Sequence, residues 1–202
     1  MSFRTFMNEQ GEVVIPDPPL AYALFNTVQF AWLWLILRLY LAYVWLSAAL
    51  GKFSNPAWMD GTALRGFWTN AVSLPETGKP LIVYDWYRNL IQTMLENGLY
   101  TWFADLVAYS EFTVGLLLLL GAFTGIAAFA GAFLNWNFLM AGTASVNPMM
   151  LILSILLVLA WKVAGWYGLD RWLLPALGTP WTRRVREERV PTMPARNPEP
   201  DG

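Results

Sequence analysis

The sequence predicts an all-α integral membrane protein built as a four-transmembrane-helix bundle, with interfacial amphipathic helices in the long loop between helices 1 and 2. Three observations lead to this fold class. Of the 202 residues, 56% are hydrophobic and only 13% are charged, and the mean hydropathy is +0.41. Soluble domains carry about 25% charged residues, so this chain lacks the polar surface that water requires. Charges also become rare in four long stretches, each about long enough to cross a hydrocarbon layer of roughly 30 Å.

These four stretches define the predicted spans. The first is interrupted by the charge of Arg38, and the second carries Asp105 and Glu111. Asn147 and Pro148 mark the start of the fourth span, because proline fits the first turn of a helix and an Asn-Pro pair favours a turn before it. The predicted spans cover residues 30–50, 99–123, 126–146 and 148–169.

The distribution of basic residues predicts the orientation and the three parts of the chain. Residues 1–25 form an N-terminal arm, residues 26–175 form the membrane domain, and residues 176–202 form a basic, Pro-rich, flexible tail. Six of the thirteen Lys and Arg residues follow the fourth span, which places the tail in the cytoplasm by the positive-inside rule. Four crossings return the N-terminus to the same side. The sequence therefore predicts a multi-pass protein of the cytoplasmic membrane of a prokaryote.

The loop at residues 51–98 is predicted to be extracytoplasmic and to contain two helices. Each helix places apolar and aromatic residues on one side, a pattern typical of helices that lie in the membrane interface. Two interpretations remain open, because the helices either cap the bundle or form a lid that controls access to a site. The residues on these faces are Trp58, Leu64, Phe67 and Trp68 in the first helix, and Trp86, Leu90, Met94 and Leu95 in the second.

Three polar residues inside the spans are the predicted catalytic residues. A charge in a spanning helix costs about 2.5 to 3.5 kcal/mol and usually faces a partner in the bundle interior. Glu111 and Asn135 lie at the middle of the second and third spans, and Arg38 lies two residues, about 3 Å, from the middle of the first. We expect Arg38 and Glu111 to pair, either as a salt bridge that fixes helix register or as a functional site. Asn135 is expected to bond either a neighbouring helix or a ligand.

Further residues are predicted to line a substrate or quinone pocket. Asp105 lies about 9 Å outward of Glu111, toward Lys52. Lys162 either snorkels to the interface or joins the polar layer. Trp45 and Trp136 lie deep enough to form a flat apolar wall. Arg65 and Asn137 are the two other polar residues of the set. The predicted pocket residues are Asp105, Lys52, Arg65, Trp45, Trp136, Asn137 and Lys162.

The composition excludes several classes of site. The chain has no His and no Cys, so its own side chains supply no zinc site, no iron–sulfur cluster, no His-ligated haem and no redox disulfide. No metal site is predicted. The net charge of -1 also argues against a nucleic-acid partner, which requires clustered positive charge.

Residues 30–175 resemble the DoxX/DoxD family of small four-helix membrane proteins. The most specific features are the LR…GKF pattern of the first helix, the Glu111-centred helix leading into LLLGAFTG, and the closing GWYGLDRWL. The resemblance is carried by the segments LRLYLAYVWLSAALGKFSNPAWM, FADLVAYSEFTVGLLLLLGAFTGIAAFAGAFLNWNFLMAG and NPMMLILSILLVLAWKVAGWYGLDRWLLP.

The resemblance implies an integral membrane subunit of a quinone-linked oxidoreductase, similar to the small subunit of thiosulfate:quinone oxidoreductase. Quinone would be its cofactor, thiosulfate or another sulfur compound the electron donor, and a second subunit its partner, besides membrane lipids. Arg38 and Glu111 would then relay protons or bind the quinone headgroup, and Asn135 would donate a hydrogen bond. Asp105, Lys52 and Arg65 would hold an anion at the outer opening. The alternative is a non-catalytic accessory or scaffolding subunit of a larger respiratory or photosynthetic membrane complex, so whether the chain is itself an enzyme stays open.

Overall fold

A computed structural model of the protein describes residue 15 and residues 17–179. This part of the chain is helical and contains no strand, which confirms the predicted all-α class. The predicted N-terminal arm up to residue 14 and the basic tail from residue 180 lie outside the described residues. The α-helices are α1 (Pro19–Asn26), α2 (Ala31–Phe53), α3 (Pro56–Met59), α4 (Thr62–Val72), α5 (Asp85–Glu96), α6 (Tyr100–Leu120), α7 (Thr124–Met140), α8 (Asn147–Leu159), α9 (Trp161–Ala164) and α10 (Asp170–Ala176).

Two helical segments among the described residues are long and apolar enough to cross a membrane. They are Val28–Phe53, which adds a 3₁₀ turn to the start of α2, and Tyr100–Leu120. Helix α7 has 17 residues and α8 has 13, or about 26 Å and 20 Å. Both are shorter than the spans predicted at 126–146 and 148–169.

The predicted fourth helix is divided in two. Helix α8 ends at Leu159, and after Ala160 the chain resumes helical structure as α9. Trp161, the first residue of α9, packs directly on α7 at Gly125, where an added Cβ atom would meet the Trp161 Cβ at 2.7 Å.

Helices α2 and α6 pack as an antiparallel pair in a displaced register. Leu46 lies against Gly115, whose missing side chain permits the close approach, since an added Cβ would be 3.0 Å from the Leu46 backbone nitrogen. Phe53, the last residue of α2, stacks against Tyr109 with 5.2 Å between ring centroids. Residues 100–108 of α6 therefore extend beyond the end of α2.

The projecting end of α6 supports the helices of the 51–98 loop. The Trp58 indole donates a hydrogen bond of 2.9 Å to the Ala104 carbonyl. Gly61, in the left-handed conformation with φ +82°, lies against the Thr101 backbone, where no larger residue would fit. The loop is therefore folded onto the bundle by direct contacts with α6.

Two apolar clusters make up the core. The larger joins α2, α6, α7, α8 and α9, and includes Trp34, Trp45 and Leu118. The smaller joins the 51–98 loop to Ala104 and Ala141 at the ends of α6 and α7. The second cluster places the loop helices as a cap on one end of the bundle.

The buried side of α5 differs from the predicted face. The structure buries Tyr87 and Ile91, whereas Trp86 and Leu90 are 57% and 46% exposed. The sequence pattern alone could not separate these two adjacent faces, because both carry large apolar residues. In α4, Leu64 and Trp68 are buried as predicted.

The last residues of the predicted N-terminal arm form helix α1. This helix is attached to the bundle, because the Trp34 indole donates to the Leu24 carbonyl at 2.8 Å. Lys162 on α9 donates to the Asn26 side-chain oxygen, also at 2.8 Å. Lys162 was predicted either to reach the membrane interface or to join the polar layer. In the structure its partner is Asn26, at the end of α1.

Candidate functional site

A cavity of about 850 Å³ lies between the two apolar clusters. Its inner walls come from α2, α6, α7 and the start of α8, and its outer wall comes from α3, α4 and α5. Trp45 and Val114 represent the larger cluster in its lining, and Trp68 and Ile91 the smaller one. The lining is mainly apolar and aromatic, as is usual for pockets that bind small organic molecules.

A salt bridge between Lys52 and Glu111 lies in the wall of this cavity. The Lys52 Nζ atom donates to the Glu111 Oε2 atom at 2.6 Å. Glu111 is 2% exposed and Lys52 is 19% exposed. The Lys52 ammonium also lies 4.9 Å from the Trp58 ring centroid, a cation–π geometry. Charges withdrawn from water are stabilised by such partners, and these two charges face a mainly apolar space.

A second polar position in the cavity joins the cap to α7. The Tyr87 hydroxyl lies 3.2 Å from the Asn137 backbone oxygen and the same distance from its side-chain Oδ1 atom. Burial in the cavity wall raises the pKa of Tyr87 above its usual value. Both residues line the cavity. Asn137 therefore holds the cap in place and presents polar atoms near the cavity.

The predicted pairing of Arg38 with Glu111 is wrong. Arg38 is 1% exposed, but its Nη2 atom donates to the Tyr167 carbonyl at 2.9 Å. Its guanidinium lies against the backbones of Gly121 and Gly168. The prediction matched the midpoints of the two spans, which would place Leu46 level with residue 105, whereas Leu46 faces Gly115. The displacement of ten residues, about 15 Å, separates Arg38 from Glu111 and brings Lys52 to Glu111 instead.

Asp170 completes the arrangement around Arg38. Asp170 lies just beyond the predicted fourth span and is 1% exposed. Its carboxylate accepts hydrogen bonds from the backbone N–H groups of Phe123 at 2.5 Å and Thr124 at 2.9 Å. It thus satisfies the free donors at the start of α7, and its charge attracts that of Arg38. Arg38 and Asp170 fix the turn between α6 and α7 to the segment before α10.

The structure brings four of the ten predicted site residues into the cavity and places the other six elsewhere. Lys52, Glu111, Trp45 and Asn137 line the cavity. Outside it, Arg38 binds the Tyr167 carbonyl and Lys162 binds Asn26. The other four that do not line it are Asn135, Asp105, Arg65 and Trp136.

These four residues have separate surroundings. Asn135 is fully buried and makes no hydrogen bond through either side-chain polar atom, and Asp105 makes none through its buried Oδ1 atom. Asp105 was expected to approach Lys52, but Lys52 pairs with Glu111. Arg65 is exposed and lies over the Tyr100 ring at 5.5 Å. Trp136 is 41% exposed and stacks on Phe133, so it does not form the deep apolar wall that was expected.

Sequence reasoning did not assign Trp58 and Tyr87 to the site. Both belong to the 51–98 loop, and both line the cavity. The aromatic pattern of the loop marked Trp58 as part of an interfacial face, but no pattern within the loop indicates which bundle residues it covers. The position of the loop over the bundle depends on its tertiary contacts with the projecting end of α6, such as that of Trp58 with Ala104.

The described residues form an all-α fold with two helices long and apolar enough to cross a membrane, and they enclose a mainly apolar cavity. The DoxX family matches residues 33–146. The match covers more than half of the chain, and the protein belongs to the DoxX family, which comprises membrane proteins generally linked to quinone oxidoreductases. This confirms the family resemblance in the sequence, although α8, α9 and α10 lie beyond the matched residues. Comparisons with curated proteins and with solved structures gave no match.

Proposed function

We propose that this DoxX protein is a membrane subunit of a quinone-linked oxidoreductase, and that the cavity beside Lys52 and Glu111 binds the quinone ring. The observation that carries the proposal is a buried ion pair facing an apolar cavity. The volume of about 850 Å³ falls within the range of roughly 300 to 1,000 Å³ that is common for small-molecule sites. Aromatic walls and a few polar groups suit a flat ring with carbonyl oxygens.

The chemistry of the pair supports a role in quinone binding. An ammonium group has three N–H donors, and Glu111 accepts only one of them in the structure. Lys52 can therefore donate to a quinone carbonyl oxygen while it remains paired. Reduction of a quinone to a quinol takes up two electrons and two protons, and a carboxylate beside the ammonium can exchange protons with this site.

The electrons in this proposal come from a second protein subunit. The chain has no Cys and no His, the usual protein ligands for iron–sulfur clusters and haem. We assign to this chain the binding of quinone and the handling of its protons. The oxidation of thiosulfate or another sulfur donor is assigned to the partner.

The proposed topology uses four membrane crossings. Helices α2 and α6 have spanning length, and α7 and α8 pack closely against each other in the same apolar core. We propose that α7 crosses with the help of its flanking turns, and that α8 and α9 together make the fourth crossing. Both termini would then lie in the cytoplasm of a prokaryote, on the side of the basic tail.

An accessory role in a larger respiratory or photosynthetic complex is the second candidate. The observation that favours it is the number of tryptophans exposed on the outer surface. Trp32, Trp102 and Trp172 are 53%, 60% and 66% exposed, and exposed aromatic side chains are common both at membrane interfaces and at contacts between proteins. In this case quinone would not bind, and the chain would be recovered with its complex.

A binding experiment distinguishes the two functions. The protein is purified in mild detergent and titrated with a benzoquinone that carries an alkyl tail, and binding is followed by calorimetry. The wild type and the control Lys162→Met should bind equally, because Lys162 lies outside the cavity. The double variant Lys52→Met/Glu111→Leu should lose at least about tenfold in affinity, or ~1.4 kcal/mol. Equal binding by all three proteins, or no binding by the wild type, contradicts the proposal.

Activity provides the second test. Membranes that contain the wild type and its partner should reduce the quinone with thiosulfate or another sulfur donor, and the double variant should not. Recovery of the chain only in a large assembly, with no bound quinone in the extract, supports the accessory function instead.

A further inference from the structure

The cavity opens to the outside through a small group of exposed residues. These residues line the cavity and also have large exposed fractions, as expected where the cavity wall meets the outer surface. They lie on α5, α6, α7 and the turn before α8, and we refer to them as the mouth. The mouth consists of Leu90 (46% exposed), Leu106 (42%), Phe133 (55%), Val146 (50%) and the exposed Ser145.

Four of the five mouth residues are apolar, and the fifth is Ser145. A mouth that faced water would expose this apolar group at a cost, and exposed apolar patches mark contacts with a membrane or another molecule. Leu106 belongs to α6, one of the two helices of spanning length. Its exposed side therefore faces lipid if α6 crosses the membrane.

Aromatic residues beside the mouth indicate its depth. Trp102 and Tyr109 lie one turn before and one turn after Leu106 on the same side of α6, and both are exposed. Trp136 stacks on Phe133 with 5.9 Å between ring centroids. Exposed Trp and Tyr side chains concentrate where lipid headgroups meet the hydrocarbon layer. The mouth is therefore placed near the edge of the hydrocarbon layer.

We propose that the mouth is a lateral entrance through which a lipid-soluble ligand passes from the bilayer into the cavity. This inference rests on the proposed function, in which the ligand is a quinone. The ring passes between Leu106 and Phe133 and reaches Lys52 and Glu111, while the apolar tail stays in the mouth. Such a ligand need not cross water at any step.

The test separates the entrance from the binding site by kinetics. Leu106→Trp narrows the mouth and Leu106→Ala widens it. Leu116→Trp is the matched control, because Leu116 lies on the same helix and is 38% exposed but does not line the cavity. Each protein is reconstituted in phosphatidylcholine vesicles, and the alkyl-tailed benzoquinone is added from a small volume of ethanol so that it partitions into the same bilayer. Quenching of tryptophan fluorescence is then followed, and the phase due to the cavity is the one missing in Lys52→Met/Glu111→Leu.

Substitution of an entrance residue changes the association and dissociation rates by the same factor, and the affinity for the quinone stays the same. Leu106→Trp should lower the association and dissociation rates together by about tenfold, which corresponds to ~1.4 kcal/mol of barrier height. Leu106→Ala should raise both rates, and Leu116→Trp should leave them unchanged. Thermal unfolding confirms that each variant is folded, and the opposite directions expected for Trp and Ala keep the test valid if one variant is unstable.

Other outcomes overturn the inference in distinguishable ways. Unchanged rates in both Leu106 variants mean that the quinone enters elsewhere, although the proposed function stands. A change in dissociation rate alone makes Leu106 a wall of the binding site. A phospholipid that remains bound after purification, with quinone rates independent of residue 106, identifies lipid as the occupant of the mouth. Absence of the cavity phase in the wild type overturns the proposed function itself.

Discussion

Removal of one partner from the Lys52–Glu111 pair should destabilise the protein far more than removal of both. The Lys52 Nζ atom and the Glu111 Oε2 atom are 2.6 Å apart, and Glu111 is almost fully buried. Loss of one charge leaves the other unpaired in an apolar wall, which typically costs about 3 to 5 kcal/mol. Because Lys52 is about one-fifth exposed, we expect values at the lower end, about 3 kcal/mol, for Lys52→Met.

The double variant Lys52→Met/Glu111→Leu should recover most of this loss. Replacement of a buried ion pair by apolar residues of similar volume is often neutral or stabilising by about 1 to 4 kcal/mol. The free energy of unfolding is measured in mild detergent by denaturant titration for the wild type, both single variants and the double variant. The four values form a double-mutant cycle, in which we expect a coupling energy of about 3 kcal/mol.

The cycle also shows why the pair is present. A stable double variant that no longer binds quinone means that the charges serve binding and are not needed for folding. Single variants that each cost less than about 1 kcal/mol would match a solvent-exposed pair, and this result would refute the reasoning from burial.

Three further substitutions test the surroundings of Arg38 and the unpaired amide of Asn135. Gly121→Ala should lower the free energy of unfolding by about 2 to 4 kcal/mol, because residue 121 has φ +63° and its new Cβ would collide with the Arg38 guanidinium; no loss in a denaturant titration would contradict this packing. Asp170→Asn should cost about 2 to 3 kcal/mol by leaving Arg38 without its opposite charge, and hydrogen exchange should show faster opening at the start of α7, with unchanged exchange there arguing against the cap. Asn135→Leu should be neutral or stabilising by about 1 kcal/mol, since both polar atoms of the buried amide lack partners. A large loss of stability in Asn135→Leu would reveal a hydrogen bond that the structure does not contain.

The helical class and the family follow from composition and local pattern. Apolar stretches long enough to span a membrane identify α2 and α6 directly, and the ends of these helices differ by only a few residues from the predicted spans. Both properties depend on the sequence near each residue. They do not require knowledge of which helices touch.

The partners of the buried charges could not be predicted in the same way. The expected pair of Arg38 and Glu111 assumed that neighbouring spans have level ends. The observed register instead depends on the contact of Leu46 with Gly115 and on the loop helices that cover residues 100–108. Glycine at position 115 permits a close approach of helices, but its partner on α2 is a tertiary contact that no local pattern specifies. The same limit applies to Asp170, whose hydrogen bonds join residues 46 and 47 positions apart.

The end of α2 determines how much space is left beneath the cap. Because α2 stops at Phe53 while α6 continues outward, the bundle has a step on one side, and the helices of the 51–98 loop bridge that step. One additional turn at the end of α2 would extend it by about 5.4 Å into this space. The length of α2 therefore sets the depth of the cavity beneath the cap, and a variant of this chain with α2 one turn longer should enclose a smaller cavity.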